Sequence, residues 1–109
     1  MSEISKLEQS LIIKKIDSTT VNIQITNNEM LMTIVGEFNQ NLKQLEKLTN
    51  TNIFFRGNSI TCKGKEANLK DFSQAIKFLI DKYLLTHLIE KGDIMLSVKK
   101  NMKLEESNV

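Results

Sequence analysis

A two-residue turn, Gly57-Asn58, is the feature that most constrains how this chain can fold. It separates two short segments of β-strand composition, residues 53–56 and 59–63. A Gly-Asn pair between two such segments favours the primed turns, whose twist matches that of antiparallel strands. The alternation of the second segment predicts two inward-facing residues, Ile60 and Cys62. The sequence therefore predicts a β-hairpin.

The stretch before the hairpin predicts one more strand and two helices. Residues 21–26 alternate apolar and polar side chains, which is typical of a half-buried strand. The Asn pair at residues 27–28 can cap a short helix, which Gly36 would end. A second helix is predicted to begin near Asn39 or Gln40. The apolar side of this helix consists of Phe38, Leu42, Leu45 and Leu48.

A long helix is predicted after the hairpin, from about Glu66 to about Glu90, with Lys91 and Gly92 as its C-terminal stop. A helix of about 25 residues is about 37 Å long, more than a three-stranded sheet covers. The last turns are therefore expected to pack on the N-terminal segment, the C-terminal tail or a partner. Their apolar residues are Leu84, Leu85, Leu88 and Ile89.

The resulting order is strand, helix, helix, strand, strand, helix, which predicts an α+β fold. We expect a small three-stranded sheet with helices packed on one face. Residues 1–20 form an N-terminal segment for which a weak helical stripe and a short strand fit equally well. Residues 21–91 are predicted to form the domain, and residues 92–109 a C-terminal tail or linker.

Composition and charge exclude several classes of protein. At 109 residues there is room for one domain, and the net charge of +2 does not by itself indicate nucleic-acid binding. A single cysteine, Cys62, and a single histidine, His87, exclude an internal disulfide and a zinc site built from these residue types. No apolar run reaches the about 20 residues that cross a bilayer. We expect a cytoplasmic protein without a membrane partner.

The turn Gly36-Glu-Phe-Asn39 lies where type I KH domains carry their G-x-x-G loop, and the predicted element order is also that of type I KH domains. In KH domains this loop lets the nucleic-acid backbone approach, and the start of the following helix holds phosphate. Here Asn39 replaces the second glycine, and Glu37 places a negative charge where phosphate would approach. The pattern resembles a KH domain with an altered loop.

Three longer strings extend the resemblance: IVGEFNQNLKQLE at 34–46, IFFRGN at 53–58 and ITCKG at 60–64. Together they resemble the N-terminal KH-like domain of PhoH-family proteins, over about residues 21–94. The resemblance implies an accessory domain that belongs with a P-loop ATPase domain, in cis or in trans, and acts in RNA metabolism. It implies single-stranded RNA as a partner, and an endoribonuclease of ribosomal RNA maturation as another.

The chain departs from the family because it has no Walker A motif. Gly64-Lys65 is followed by Glu66, without the hydroxyl that would hold magnesium and without the upstream glycine. We therefore expect no ATP, magnesium or other cofactor in this chain, and no enzymatic activity of its own. The expected protein is the accessory domain without the ATPase domain.

Residues 36–65 are more basic than the chain average, with five bases against Glu37 and Glu46. Lys43 and Lys47 lie one helical turn apart and would neutralise phosphates in a salt-dependent way if they share a surface with Arg56. The alternative is that these are ordinary solvated charges. Arg56 is either a base-stacking residue or merely exposed. The candidate nucleic-acid contacts are Gly36, Asn39, Asn41, Lys43, Lys47 and Arg56.

Phe54 lies on the opposite face of its strand from Ile53 and Phe55. It is either a stacking aromatic of the kind that RNA-binding sheets present, or, as we expect, covered by the N-terminal segment. The alternative function is a protein-interaction or oligomerisation module that keeps a KH-like scaffold without nucleic-acid binding. Glu37, Asn39 and the surplus apolar residues at the end of the long helix favour this alternative, in which a homo-oligomer is the partner.

Overall fold

The computed structural model describes residues 11–98, in which four antiparallel strands form one sheet with helices on one face. A 3-10 turn at Glu37–Asn39 lies between the first two helices. Residues 91–98 form α4, the last helix within the described range. The other elements are β1 (Leu11–Asp17), β2 (Thr20–Ile25), α1 (Asn28–Val35), α2 (Gln40–Thr49), β3 (Asn52–Arg56), β4 (Ser59–Lys63) and α3 (Glu66–Thr86).

The predicted three-stranded sheet is wrong, because Leu11–Asp17 forms a fourth strand that pairs with β2, with a shift of register at Ile16. The strand order is β1-β2-β4-β3. A tight turn makes the pairing possible: one carboxylate oxygen of Asp17 accepts from the N–H and the hydroxyl of Thr19, at 2.8 and 3.0 Å. These bonds also lower the pKa of Asp17. Residues 1–10 lie outside the described residues.

The α+β class and the local signals for α1 and the hairpin are confirmed. The Oδ1 of Asn27 caps α1 by accepting from the Met30 N–H at 3.0 Å. In the hairpin turn only Gly57 has a positive φ, of 61°, which is the pattern of a type II′ turn. The Asn58 carbonyl accepts from the Ile25 N–H at 3.0 Å and so joins this turn to the end of β2.

The core lies between the sheet and the helices. The inward face of β2 and β4 consists of Val21, Ile23, Ile25, Ile60 and Cys62, all of which are buried. The side of α3 that faces them contributes Leu69, Phe72, Ala75, Ile76, Leu79 and Ile80. Helices α1 and α2 complete the layer with Met30, Leu31, Ile34, Leu42 and Leu45. Burial of these side chains is the main stabilising term of the fold.

The long helix ends at Thr86, so its predicted extension to Glu90 is wrong. His87 adopts a left-handed conformation with φ 61° and donates its N–H to the Tyr83 carbonyl at 2.7 Å. The predicted stop at Lys91 and Gly92 is instead the first turn of α4.

Helix α4 packs on the core within the segment that the sequence assigned to a tail. Its start is held by Asp93, whose carboxylate accepts from the Glu90 N–H at 2.8 Å and lies 3.7 Å from the Lys82 ammonium of α3. Ile94 and Val98 of α4 are buried in the same core as α3. Residues 99–109 lie outside the described residues. No helix within 11–98 is long and apolar enough to cross a membrane.

Candidate nucleic-acid interface

The turn between α1 and α2 has an unusual backbone. Gly36 has φ 80° and ψ 167°, a combination that is essentially restricted to glycine, and its N–H closes α1 on the Met32 carbonyl at 2.9 Å. Phe38 and Asn39 both have positive φ, of 53° and 60°. Two consecutive left-handed residues other than glycine cost free energy, so the packing around them must hold the turn in place.

The side chain of Asn41 stabilises the turn between α1 and α2. Its side-chain amide donates to the Thr33 carbonyl of α1 at 3.4 Å. A Cβ atom at Gly36 would lie 2.7 Å from that same amide nitrogen. Gly36 and Asn41 are therefore packed against each other, and Asn41 has an intramolecular role in joining the start of α2 to the end of α1.

Phe38 points into solvent, and its predicted place on the apolar side of α2 is wrong. The residue lies in the 3-10 turn before α2 begins, and its left-handed backbone turns the side chain away from the core, leaving it 85% exposed. An exposed aromatic ring is chemically able to stack on a planar ligand such as a nucleobase. Sequence reasoning missed Phe38 as a candidate; its position inside the turn was the available signal.

A groove of about 130 Å³ runs between α2 and the edge strand β3. Its apolar part consists of Leu42, Ile53 and Phe55, and Asn39 and Lys43 lie at its rim on the α2 side. Glu46 lines it one turn after Lys43. We call this surface the α2–β3 groove; it is lined by Asn39, Leu42, Lys43, Glu46, Ile53 and Phe55.

The edge of β3 presents backbone groups to this groove. In a two-residue hairpin Arg56 and Ser59 form a hydrogen-bonded pair, so by alternation the N–H groups of Ile53 and Phe55 point away from β4. The Ile53 N–H donates to a Glu46 carboxylate oxygen at 2.7 Å. Glu46 therefore satisfies one edge amide and also adds a negative charge to the groove, which opposes phosphate.

The structure separates the six candidate contacts into three places. Asn39 and Lys43 lie in the α2–β3 groove, with Lys47 exposed one turn further along α2. Gly36 and Asn41 line a second groove of about 310 Å³ on the other side of the turn, which also contains Ile89 and Lys91. Arg56 shares the face of β3 that carries Phe54, opposite the helices.

Cys62 and His87, the sole cysteine and the sole histidine, both pack against neighbouring side chains of the fold. Burial raises the pKa of the Cys62 thiol to about 11, so the thiol is protonated at neutral pH and is a poor nucleophile. The His87 ring packs edge-on against Tyr83, with 5.1 Å between ring centroids, at the C-terminus of α3. Within residues 11–98, no group of three or more His, Cys, Asp or Glu side chains could hold a metal ion.

The arrangement can therefore contact a ligand through stacking, backbone amides and a few cations. Phe38 directly precedes Asn39, which lines the α2–β3 groove, so the exposed ring and the groove are neighbours in the chain. The chain matches no protein-family model and no curated protein.

Proposed function

We propose that the domain binds single-stranded nucleic acid, RNA in preference to DNA, as a non-catalytic KH-like accessory domain of a PhoH-like ATPase. One observation carries the proposal: the α2–β3 groove combines apolar side chains with Lys43 at its rim, beside a turn with an exposed Phe38. Unstacked bases need apolar or aromatic contacts, and phosphates need cations and amides. The element order supports it, since the elements from β2 to α3 run strand, helix, helix, strand, strand, helix.

The first turn of α2 is the proposed phosphate contact. No side chain among the described residues caps this helix, because its N-cap residue Asn39 is left-handed and makes no side-chain cap bond. The amides of a helix N-terminus point outward and carry partial positive charge. Lys43 lies one turn later and would neutralise a neighbouring phosphate. A base next to that phosphate would lie in the groove over Leu42, Ile53 and Phe55.

Replacement of Lys43 by Gln is expected to weaken RNA binding and its salt dependence together. Loss of one phosphate contact lowers the slope of log K against log salt by about 0.7 for a single strand. Fluorescence anisotropy of a labelled single-stranded RNA, titrated at low and moderate salt, measures both quantities. Lys77→Gln is the matched control, because Lys77 is an exposed lysine on α3 and lies outside the groove lining. If both variants lose equal affinity, the groove is not the site.

Glu46→Gln is a second test in the same titration, because it is expected to raise the affinity for RNA where Lys43→Gln lowers it. The amide oxygen of Gln can still accept from the Ile53 N–H, so the variant removes the charge while it keeps the hydrogen bond. Affinity for RNA is expected to rise about threefold at low salt and to converge with the parent at high salt. Absence of RNA binding by the parent chain at low salt would contradict the proposed function.

A second candidate function, a protein-interaction or oligomerisation module, is favoured by the exposed end of α3. Leu84 is half exposed, Leu85 is 82% exposed and Leu88 is also exposed, while Ile89 packs partly against the core. These side chains lie around the C-terminus of α3, where a contiguous apolar surface is typical of a contact with another protein.

Leu84→Glu and Leu88→Glu test this second function by light scattering. If copies of the chain associate through the end of α3, each variant is expected to shift the mass towards the monomer, because a carboxylate buried in an apolar interface is costly. Ile16→Glu is a control, since Ile16 is exposed on β1 and the neighbouring Lys15 pairs with Glu66 at the other end of α3. A monomeric parent with unchanged variants would exclude self-association through this helix.

A further inference from the structure

We propose that the face of the sheet opposite the helices is a second contact surface for single-stranded nucleic acid, with Phe54 as the ring on which a base stacks. We call it the open face; its central row across the sheet is Phe54, Thr61, Asn22 and Lys14. This inference rests on the proposed function, and it adds a surface that lies apart from the α2–β3 groove.

Phe54 is available for stacking. Its side chain is 55% exposed. The N-terminal segment was expected to cover it, but β1, the part of that segment within the described residues, lies at the opposite edge of the sheet, three strand spacings away. Burial of the apolar surface of this ring by another molecule would be favourable. Stacking of a nucleobase covers the ring and is worth about 1–3 kcal/mol per base.

One cation lies over the ring, and two more lie on the same face of the sheet. The Lys63 ammonium lies 5.8 Å from the centroid of the Phe54 ring, and Arg56 lies two residues further along the same face of β3. Lys14 is at the far end of the central row. Across three strand spacings, this row spans about 14 Å. A base that replaces Lys63 over the ring would leave the ammonium free to pair with a phosphate of the same strand.

Charge complementarity favours a polyanion on the open face. Among the strand residues, the only acid is Asp17, which lies at one corner of the open face with its carboxylate bonded to Thr19. The same face carries three basic residues, Lys14, Arg56 and Lys63. Helix α3, by comparison, carries three bases and three acids. The open face is therefore the more basic of these two surfaces.

The centre of the row offers hydrogen-bond donors. Asn22 donates its side-chain amide to the hydroxyl oxygens of Ser59 and Thr61, at 2.8 and 2.9 Å. Because each hydroxyl oxygen accepts from Asn22, its proton can be donated to another acceptor. Two fixed hydroxyl groups next to Phe54 are suited to a base edge or a phosphate oxygen.

A single-tryptophan reporter tests the inference. The chain contains no Trp, so Phe54→Trp keeps a stacking ring and introduces the sole tryptophan. The probe is a single-stranded oligouridylate of about twelve nucleotides. We expect saturable quenching of Phe54→Trp and unchanged emission from Leu85→Trp, a control at an exposed site on α3. Phe54→Leu is expected to weaken binding of the labelled RNA about tenfold.

Each other outcome is decisive. If labelled RNA binds and Lys43→Gln weakens it, but emission of Phe54→Trp does not change, the α2–β3 groove keeps its function and the open face is excluded. If the parent binds no RNA at low salt, the proposed function fails and this inference fails with it. If oligoglutamate of the same length quenches Phe54→Trp with equal affinity, the face binds acidic peptides and the nucleic-acid inference is overturned.

Discussion

Gly36→Ala is expected to destabilise the domain by about 3 kcal/mol, the larger part from its backbone conformation. The dihedral angles of Gly36 are available to glycine and are strained for alanine. The new Cβ atom would also lie 2.7 Å from the Asn41 amide nitrogen, so Asn41 would have to move and lose its bond to Thr33. Urea unfolding followed by circular dichroism measures the change.

Two further variants separate the causes. Gly92→Ala is the matched control, because a Cβ there meets nothing within 4 Å among the described residues and its position is helical; stability should stay equal or rise by up to about 1 kcal/mol. The double variant Gly36→Ala with Asn41→Ala removes the contact but leaves the dihedral strain, so it should recover only part of the loss. A Gly36→Ala protein as stable as Gly92→Ala would contradict the described turn.

Ile94→Ala is expected to cost about 2–4 kcal/mol, the usual range for truncating a fully buried aliphatic side chain. Ile94 is buried on α4, a helix that the sequence assigned to a tail, so the variant tests whether α4 belongs to the core. The free energy of unfolding measures the effect, with Leu96→Ala as the control on the exposed side of the same helix. Leu96→Ala should change stability by about 0.5 kcal/mol or less. Equal effects of the two variants would mean that α4 does not pack as described.

The expected effects of Gly36→Ala and Ile94→Ala are effects on stability alone. For the turn between α1 and α2, this separates the role of Gly36 in folding from any role in binding. The glycine at the start of the turn is explained by backbone geometry and by Asn41, without any ligand. Its presence is therefore no argument for nucleic-acid binding by itself. The proposal depends instead on Phe38, Lys43 and the groove between α2 and β3, where a stability effect and a binding effect can be separated.

The parts of the fold that local chemistry determines were predictable from the sequence. Asn27 as a cap, Gly36 as a helix end and the turn at Gly57 each act within a few residues, so their signals are visible in the chain itself. The inward positions of Ile60 and Cys62 followed from alternation and are confirmed. These local signals predict α1 and the β3–β4 hairpin, which border the candidate site.

Parts that depend on distant contacts or on unusual dihedrals were not predictable. Leu11–Asp17 has a pattern that fits a helix or a strand, and pairing with β2 decides between them. Apolar spacing continues through Leu88 and Ile89, so it cannot reveal that the left-handed His87 ends α3. The same holds for Phe38, whose spacing suits the apolar side of α2 while its backbone turns it outward.

The candidate site was predictable in composition but not in arrangement. Lys43 and Asn39 do lie on one groove, but Arg56 lies on the opposite face of β3 from Ile53 and Phe55. Alternation along the strand already implies this, because Arg56 and Phe54 are two residues apart. The basic residues of the central stretch therefore divide between two surfaces, and this division led to the open face as a second contact.

The hydrogen bond from the Ile53 N–H to Glu46 also bears on how copies of the chain can aggregate. An edge strand with free amides is a template on which a strand of another molecule can add and begin a fibril. At β3 such addition would have to displace the Glu46 carboxylate and leave it facing the incoming backbone carbonyls. Sheet extension at this edge is thereby discouraged. At the other edge of the sheet, the exposed Lys14 and Lys15 of β1 make strand addition unfavourable as well.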